Sequence, residues 1–163
     1  MNGTDYTKLA VQILGKRYPA DIIHLTKIVN FDIDDKKISV LFQINSKPKK
    51  GKNILAEPEN ISSQNFLDCL YQLSFVLIGL LIKNKQSIFK KINWCKFTKH
   101  LIESKIVFCY KCEKLPREIP CDSPFELNLQ LLNYEIKNLN FACHLALSGP
   151  IEGSYELVLP IIY

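Results

Sequence analysis

Ser62, Asp68, Tyr71 and Gln72 lie in one short run, and their types could carry out acid–base chemistry together. Asp68 supplies a carboxylate that can take a proton from water. Gln64 and Gln72 stand four residues either side of it and could orient that water. Tyr71 adds a hydroxyl. Ser62 heads the run, and if the run is helical the first N–H groups after it have no intrahelical partner. Such groups can hold an oxyanion. Beyond them runs a long apolar stretch, Leu73 to Ile82.

Each residue also has a plainer use. Ser62 is a good helix cap. Asp68 could face solvent or pair with a lysine. Gln72 could satisfy buried backbone groups, and Tyr71 could be core. The three histidines, His24, His100 and His144, stand in no recognisable motif. No Ser-His-Asp order, nucleophile elbow or phosphate loop is present.

A second chemical signal is the basic segment SKPKKGKN, with Lys47, Lys49, Lys50 and Lys52. It reads as a solvated loop or as a docking site for the phosphates of coenzyme A, a phosphopantetheine arm or an acidic carrier protein. No aromatic residues interleave with these lysines, which argues against nucleic acid. The six cysteines call for neither zinc nor disulfides. Cys109 and Cys112 lie in a strand-like run whose alternation turns them to opposite faces. The sequence calls for no cofactor.

The element that must position Asp68 is the helix expected over 62–82. Ser62 caps it, and Ile61 and Phe66 form a hydrophobic staple. Its first half is amphipathic, with Gln64, Asp68 and Gln72 in one polar stripe. Its second half is apolar nearly all round, which places it in a protein core or a membrane. The purely apolar part is far short of the roughly 20 residues that span a bilayer. A buried core helix is therefore expected, and no membrane span.

Around it the chain reads as a short helix over 4–16, strands over 22–31 and 37–45, a second helix over 94–104, and four strands from residue 105 onward. In the strands, Phe125, Leu127, Leu129 and Leu131 share one face; Leu139, Phe141, Cys143, Leu145 and Leu147 share another run's inner face. Short turns between the later strands argue an antiparallel sheet rather than βαβ units. The expected fold is α+β: a hot-dog fold, a curved antiparallel sheet of about six strands wrapped round one long buried helix, in a single domain over 1–163. A small α+β sandwich and an open barrel are the alternatives.

The run Phe66-Leu67-Asp68-Cys69-Leu70-Tyr71-Gln72 resembles the helix motif of the FcoT-type fatty acyl-CoA thioesterases, which spaces phenylalanine, cysteine and glutamine in the same way. A strand and polar loop before the helix, and an aromatic helix followed by antiparallel strands after it, match in order. The family carries asparagine at the position of Ser62, tyrosine at that of Ile54, and a tyrosine–asparagine pair at Leu70-Tyr71. The resemblance implies an acyl-CoA or acyl-carrier thioesterase; a cytoplasmic location is expected separately, because Met1 is followed by polar NGTDYTK and not by a basic stretch and an apolar run. Its expected site holds Asp68, Gln72, Ser62 and Tyr71, with Gln64, Lys49, Lys50 and Lys52 binding substrate. Hot-dog subunits leave an edge strand open, so a homodimer or higher homo-oligomer is expected. A non-catalytic acyl-binding module and a hot-dog dehydratase are the competing functions.

Overall fold

The computed structural model describes residues 3–44, 61–89, 91–111, 119–120 and 123–161. The first helix, α1, runs Gly3–Leu14 and buries Ala10, Ile13 and Leu14. The first strand was expected from Ile22. Instead Ala20–Ile22 forms a 3-10 turn, with Pro19 fixed at φ −63° before it. Strand β1 therefore begins at Leu25 and runs to Asp32. It hairpins into β2, Lys37–Phe42. The turn lacks glycine, but Asp32 Oδ1 accepts from the N–H groups of Asp34 and Asp35, both at 2.9 Å. Lys36 takes the left-handed conformation at φ 51°.

The central helix, α2, spans Ser63–Lys83, and Ser62 Oγ caps it by accepting from Asn65 N–H at 3.2 Å. By length and composition this helix could cross a membrane, yet 78% of its apolar window is buried inside the protein. After it come a 3-10 turn, Ser87–Phe89, and helix α3, Trp94–Ile102, capped by Asn93 and burying Phe97, His100 and Leu101. The remaining strands are β3 Val107–Lys111, β4 Phe125–Lys137, β5 Asn140–Ser148 and β6 Gly153–Pro160.

The sheet is antiparallel throughout, in the order β1-β2-β4-β5-β6-β3. Its inner face presents Ile38, Val40 and Phe42, then Leu127 and Leu129, then Cys143 and Leu145, then Leu157 and Leu159, all buried. Helix α2 packs on β1, β2 and β4. It reaches β6 through a hydrogen bond between Ser74 and the Tyr155 hydroxyl. The three helices meet at Gly79, where an added Cβ would lie 2.8 Å from Ile13 Cδ1 and 2.9 Å from Phe97 Cε1. Absence of a side chain there lets α1 and α3 close on α2.

Leu139 was expected on the inner face of β5. It sits instead in the β4–β5 turn at φ 64° and is 61% exposed, because Asn138 and Leu139 together reverse the chain. The β4 pairing also shifts between Leu131 and Asn133. Beyond that bulge Tyr134 and Ile136 pair with Cys143 and Phe141 but extend past the cover of the helices, and both are exposed.

Candidate acid–base site on the central helix

Gln72 is fully buried, and its amide is committed at both ends. Its Nε2 donates to the Ile22 carbonyl at 2.8 Å, and its Oε1 accepts from the His24 N–H at 3.0 Å. It clamps the segment between the 3-10 turn and β1 onto α2. The plainer use of Gln72 is the one the structure displays: each end of its amide bonds the backbone of the segment before β1.

The clamp has a chemical consequence. Residues four apart on a helix share a face, so the segment that Gln72 holds comes to lie over Asp68, one turn earlier. Asp68 is half-buried. Its charge bears on His24, on Tyr18 and on Cys69. Cys69 is its chain neighbour, but His24 and Tyr18 come from a distant segment of the chain, the one bonded to Gln72 across 48 residues at His24.

Burial holds the proton affinity of His24 below its ordinary value, and the Asp68 charge pulls it partly back. The imidazole is therefore biased toward its neutral form, the form that accepts protons. Burial raises the Tyr18 phenol above its ordinary value. A hydrogen bond from Arg17 and its charge oppose that rise; Asp68 and Tyr71 reinforce it. The Arg17 guanidinium stands over the rings of Tyr18 and Phe75, 5.8 and 5.5 Å from their centroids. It is anchored from the far side, with Nη1 donating to the Leu101 carbonyl at 2.9 Å and to Ser104 Oγ at 2.8 Å.

Tyr71 is half-buried against the core and contributes to the same electrostatic neighbourhood. Gln64 is exposed and donates to Asp68 Oδ1 at 3.4 Å. Ser62 has its Oγ engaged as the cap. The head of α2 thus gathers Asp68, Tyr71, Gln64 and Ser62 with His24 and Tyr18, which the sequence offered no spacing to find. Lys49, Lys50 and Lys52 lie outside the described residues.

The other reactive types are elsewhere. Burial pushes the thiols of Cys69 and Cys143 far up, which keeps them as core and not as nucleophiles. His144 lies between buried Cys143 and Leu145 and so faces the other side of the sheet from α2. There it stands 3.8 Å from Glu135 and 3.7 Å from Glu156. Among the described residues no group of three or more potential ligands could hold a metal ion.

No protein-family model matches the chain, and no curated protein matches it. Among solved structures it is similar to the dehydratase heterocomplex ApeI:P from Xenorhabdus doucetiae. That likeness covers 91% of this chain and 90% of the other, at 10% identity and a TM-score of 0.43. The chain is a mixed α+β domain with an antiparallel sheet and a long central helix. The likeness to the FcoT-type thioesterases rests on the helix spacing and the order of the elements, and no family model supports it.

Proposed function

We propose that the protein is an acyl-thioester hydrolase working at the head of α2, on a coenzyme A or carrier-bound acyl group. The observation that carries this reading is the half-buried Asp68 carboxylate on the central helix, whose charge acts on His24, in the segment that Gln72 holds, and on Tyr18. In this reading Asp68 takes a proton from water as the water oxygen attacks the thioester carbonyl. The oxyanion rests on the first N–H groups of α2, which a helix leaves without intrahelical partners. The carbon–sulfur bond then breaks, the proton passes to the departing thiolate, and a carboxylic acid and a thiol are released. Gln64 orients the water, Tyr71 borders the acyl group, and Ser62 keeps the helix head in place. Lys49, Lys50 and Lys52 take the phosphates of the carrier, and the working unit is a homodimer or higher homo-oligomer.

The experiment is thiol release from acyl-CoA and acyl-carrier substrates over a range of chain lengths. Turnover that is lost in Asp68→Asn supports the reading. An absence of thiol release with every substrate overturns it, and co-purified acyl thioester without turnover would make the chain a binding module.

One observation favours a second reaction. A neutral histidine beside a carboxylate is the pairing that removes a proton from C2 of a 3-hydroxyacyl thioester and returns one to the departing hydroxyl. Here His24 would take the C2 proton and, as the imidazolium, pass it to the departing hydroxyl, which leaves as water, while the Asp68 carboxylate stabilises the charged ring. Enoyl-thioester absorbance would rise without thiol release, and His24→Asn would abolish it.

A further inference from the structure

The far end of α2 holds a cleft that the acid–base site does not use. It measures about 450 Å³ and is lined by Ile82, Lys83, Lys85, Gln86, Phe89, Ile92, Asn93 and Trp94. Ile82 lies fourteen residues beyond Asp68, or about 20 Å along the helix axis at the helical rise. The volume falls within the roughly 300–1,000 Å³ of small-molecule sites.

Its lining has two characters. Phe89 and Ile92 are buried and form an apolar floor. That floor continues into the sheet, because the Phe89 ring packs on Phe141 at 4.9 Å and Tyr134 stacks on the same Phe141 ring at 5.1 Å. At the rim stand two exposed cations. Lys83 Nζ lies 5.0 Å from the centroid of the Trp94 ring, a cation–π contact that keeps the charge over the cleft. Lys85 sits just past the helix at φ 56°. Asn84 ends the helix by donating from Nδ2 to the Leu80 carbonyl at 2.8 Å.

The charge around the cleft is one-sided. From Cys69 to Ile102 the chain contains no aspartate or glutamate, and it contains Lys83, Lys85, Lys90, Lys91, Lys96 and Lys99. Lys96 donates to the Ile161 carbonyl at 3.3 Å and Lys99 stands 3.9 Å from Glu103, so those two are directed elsewhere. The last carbonyls of α2 also favour cations at this end. Lys83 and Lys85 nevertheless have no carboxylate within ion-pair distance among the described residues.

We propose that this cleft is a binding site for a small anionic amphiphile: an apolar chain or ring on Phe89, Ile92 and Trp94, and a carboxylate or phosphate head between Lys83 and Lys85. An uncharged ligand would leave the paired lysines unanswered, and a purely polar anion would leave the apolar floor uncovered. The site stands independently of the chemistry proposed for Asp68.

Trp94 is the chain's single tryptophan, so its fluorescence reads this cleft directly. The full chain is titrated with decanoate and with decyl phosphate, both below micelle-forming concentration, and with decanol as the uncharged match. The expected result is a saturable change with one or both anions and binding of decanol weaker by about tenfold, as expected for two exposed charge contacts. Which anion binds more tightly identifies the head group. Lys83→Gln with Lys85→Gln should weaken anion binding by about three- to tenfold and remove most of its salt dependence. Both lysines are exposed, so the variant keeps its fold, as circular dichroism would verify. Gln86→Glu, which places a negative charge in the lining, should weaken anion binding and leave decanol unchanged. No saturable response to either anion, equal affinity for decanol, or unchanged binding in the lysine variant overturns the proposal. A Trp94 response to anionic phosphatidylglycerol vesicles alone, without one to the monomeric anions, overturns it in favour of a bilayer surface.

Discussion

The two ends of α2 are opposites. At the head, the charge of one carboxylate acts on a neutral-biased histidine and on Tyr18, and the histidine belongs to a segment pinned by Gln72. At the tail, an apolar cleft carries cations without carboxylates near them. Between them the helix is core, from Leu73 to Leu81 without an exposed residue. One continuous helix, Ser63–Lys83, joins the two ends. The buried middle fixes their separation, since a helix packed on three sides cannot slide or bend to bring them together.

The comparison breaks most completely if the middle is hollowed out. Leu77 has no exposure, and Leu77→Ala should cost about 2–5 kcal/mol by lost burial and the cavity left behind. Denaturant unfolding would measure it, with both ends affected together. A selective effect comes from Asp68→Asn. In the hydrolase reading it should lower kcat on the order of 10²-fold with little change in KM. Binding of decanoate at the tail should not change. Full activity in that variant would remove Asp68 as the base.

Gln72→Leu tests how the head is assembled. It leaves the His24 N–H and the Ile22 carbonyl without their partner, and an unsatisfied buried group costs about 1–3 kcal/mol. Activity should fall alongside stability, because His24 loses its anchor. Stability that falls while activity holds would separate the clamp from the chemistry. Ser62→Ala is smaller, about 1 kcal/mol through the lost cap.

The smallest test is of pH. Burial sets the folded value of His24 below its ordinary 6.5. The unfolded chain therefore binds the proton more readily, and the folded state loses stability as pH falls below 6.5 toward that lowered value. Above 6.5 the His24 contribution is constant. His100 shifts in the same direction, also by burial. Unfolding free energy measured at pH 7.5 and at 5.5 should fall at the lower pH, and His24→Asn should shrink the difference. An unchanged difference would place His24 in a more solvated setting than the clamp implies.

Much of the fold was legible in the residues. Ser62 followed by a long apolar run fixed where α2 begins, because a cap and a periodicity are local. The alternation of Phe125, Leu127, Leu129 and Leu131 and that of Tyr155, Leu157 and Leu159 placed those strands with their buried faces. Asp68, Tyr71 and Gln64 could be considered together because they share one helix. Local rules failed where a turn overrode a pattern. Leu139 completes an alternating run, yet reversing the chain at Asn138 takes it into the turn. Pro19 turned Ala20–Ile22 into a 3-10 element where apolar residues read as strand.

Tertiary structure alone decided what stands next to Asp68. His24 and Tyr18 belong to another segment, and no spacing within the chain relates them to the helix. Gln72 was visible as a polar residue in an apolar helix, but a buried amide can serve water, backbone or ligand equally well until its partners are fixed. Those partners are the carbonyl of Ile22 and the N–H of His24, and only the packed chain brings them within hydrogen-bonding distance.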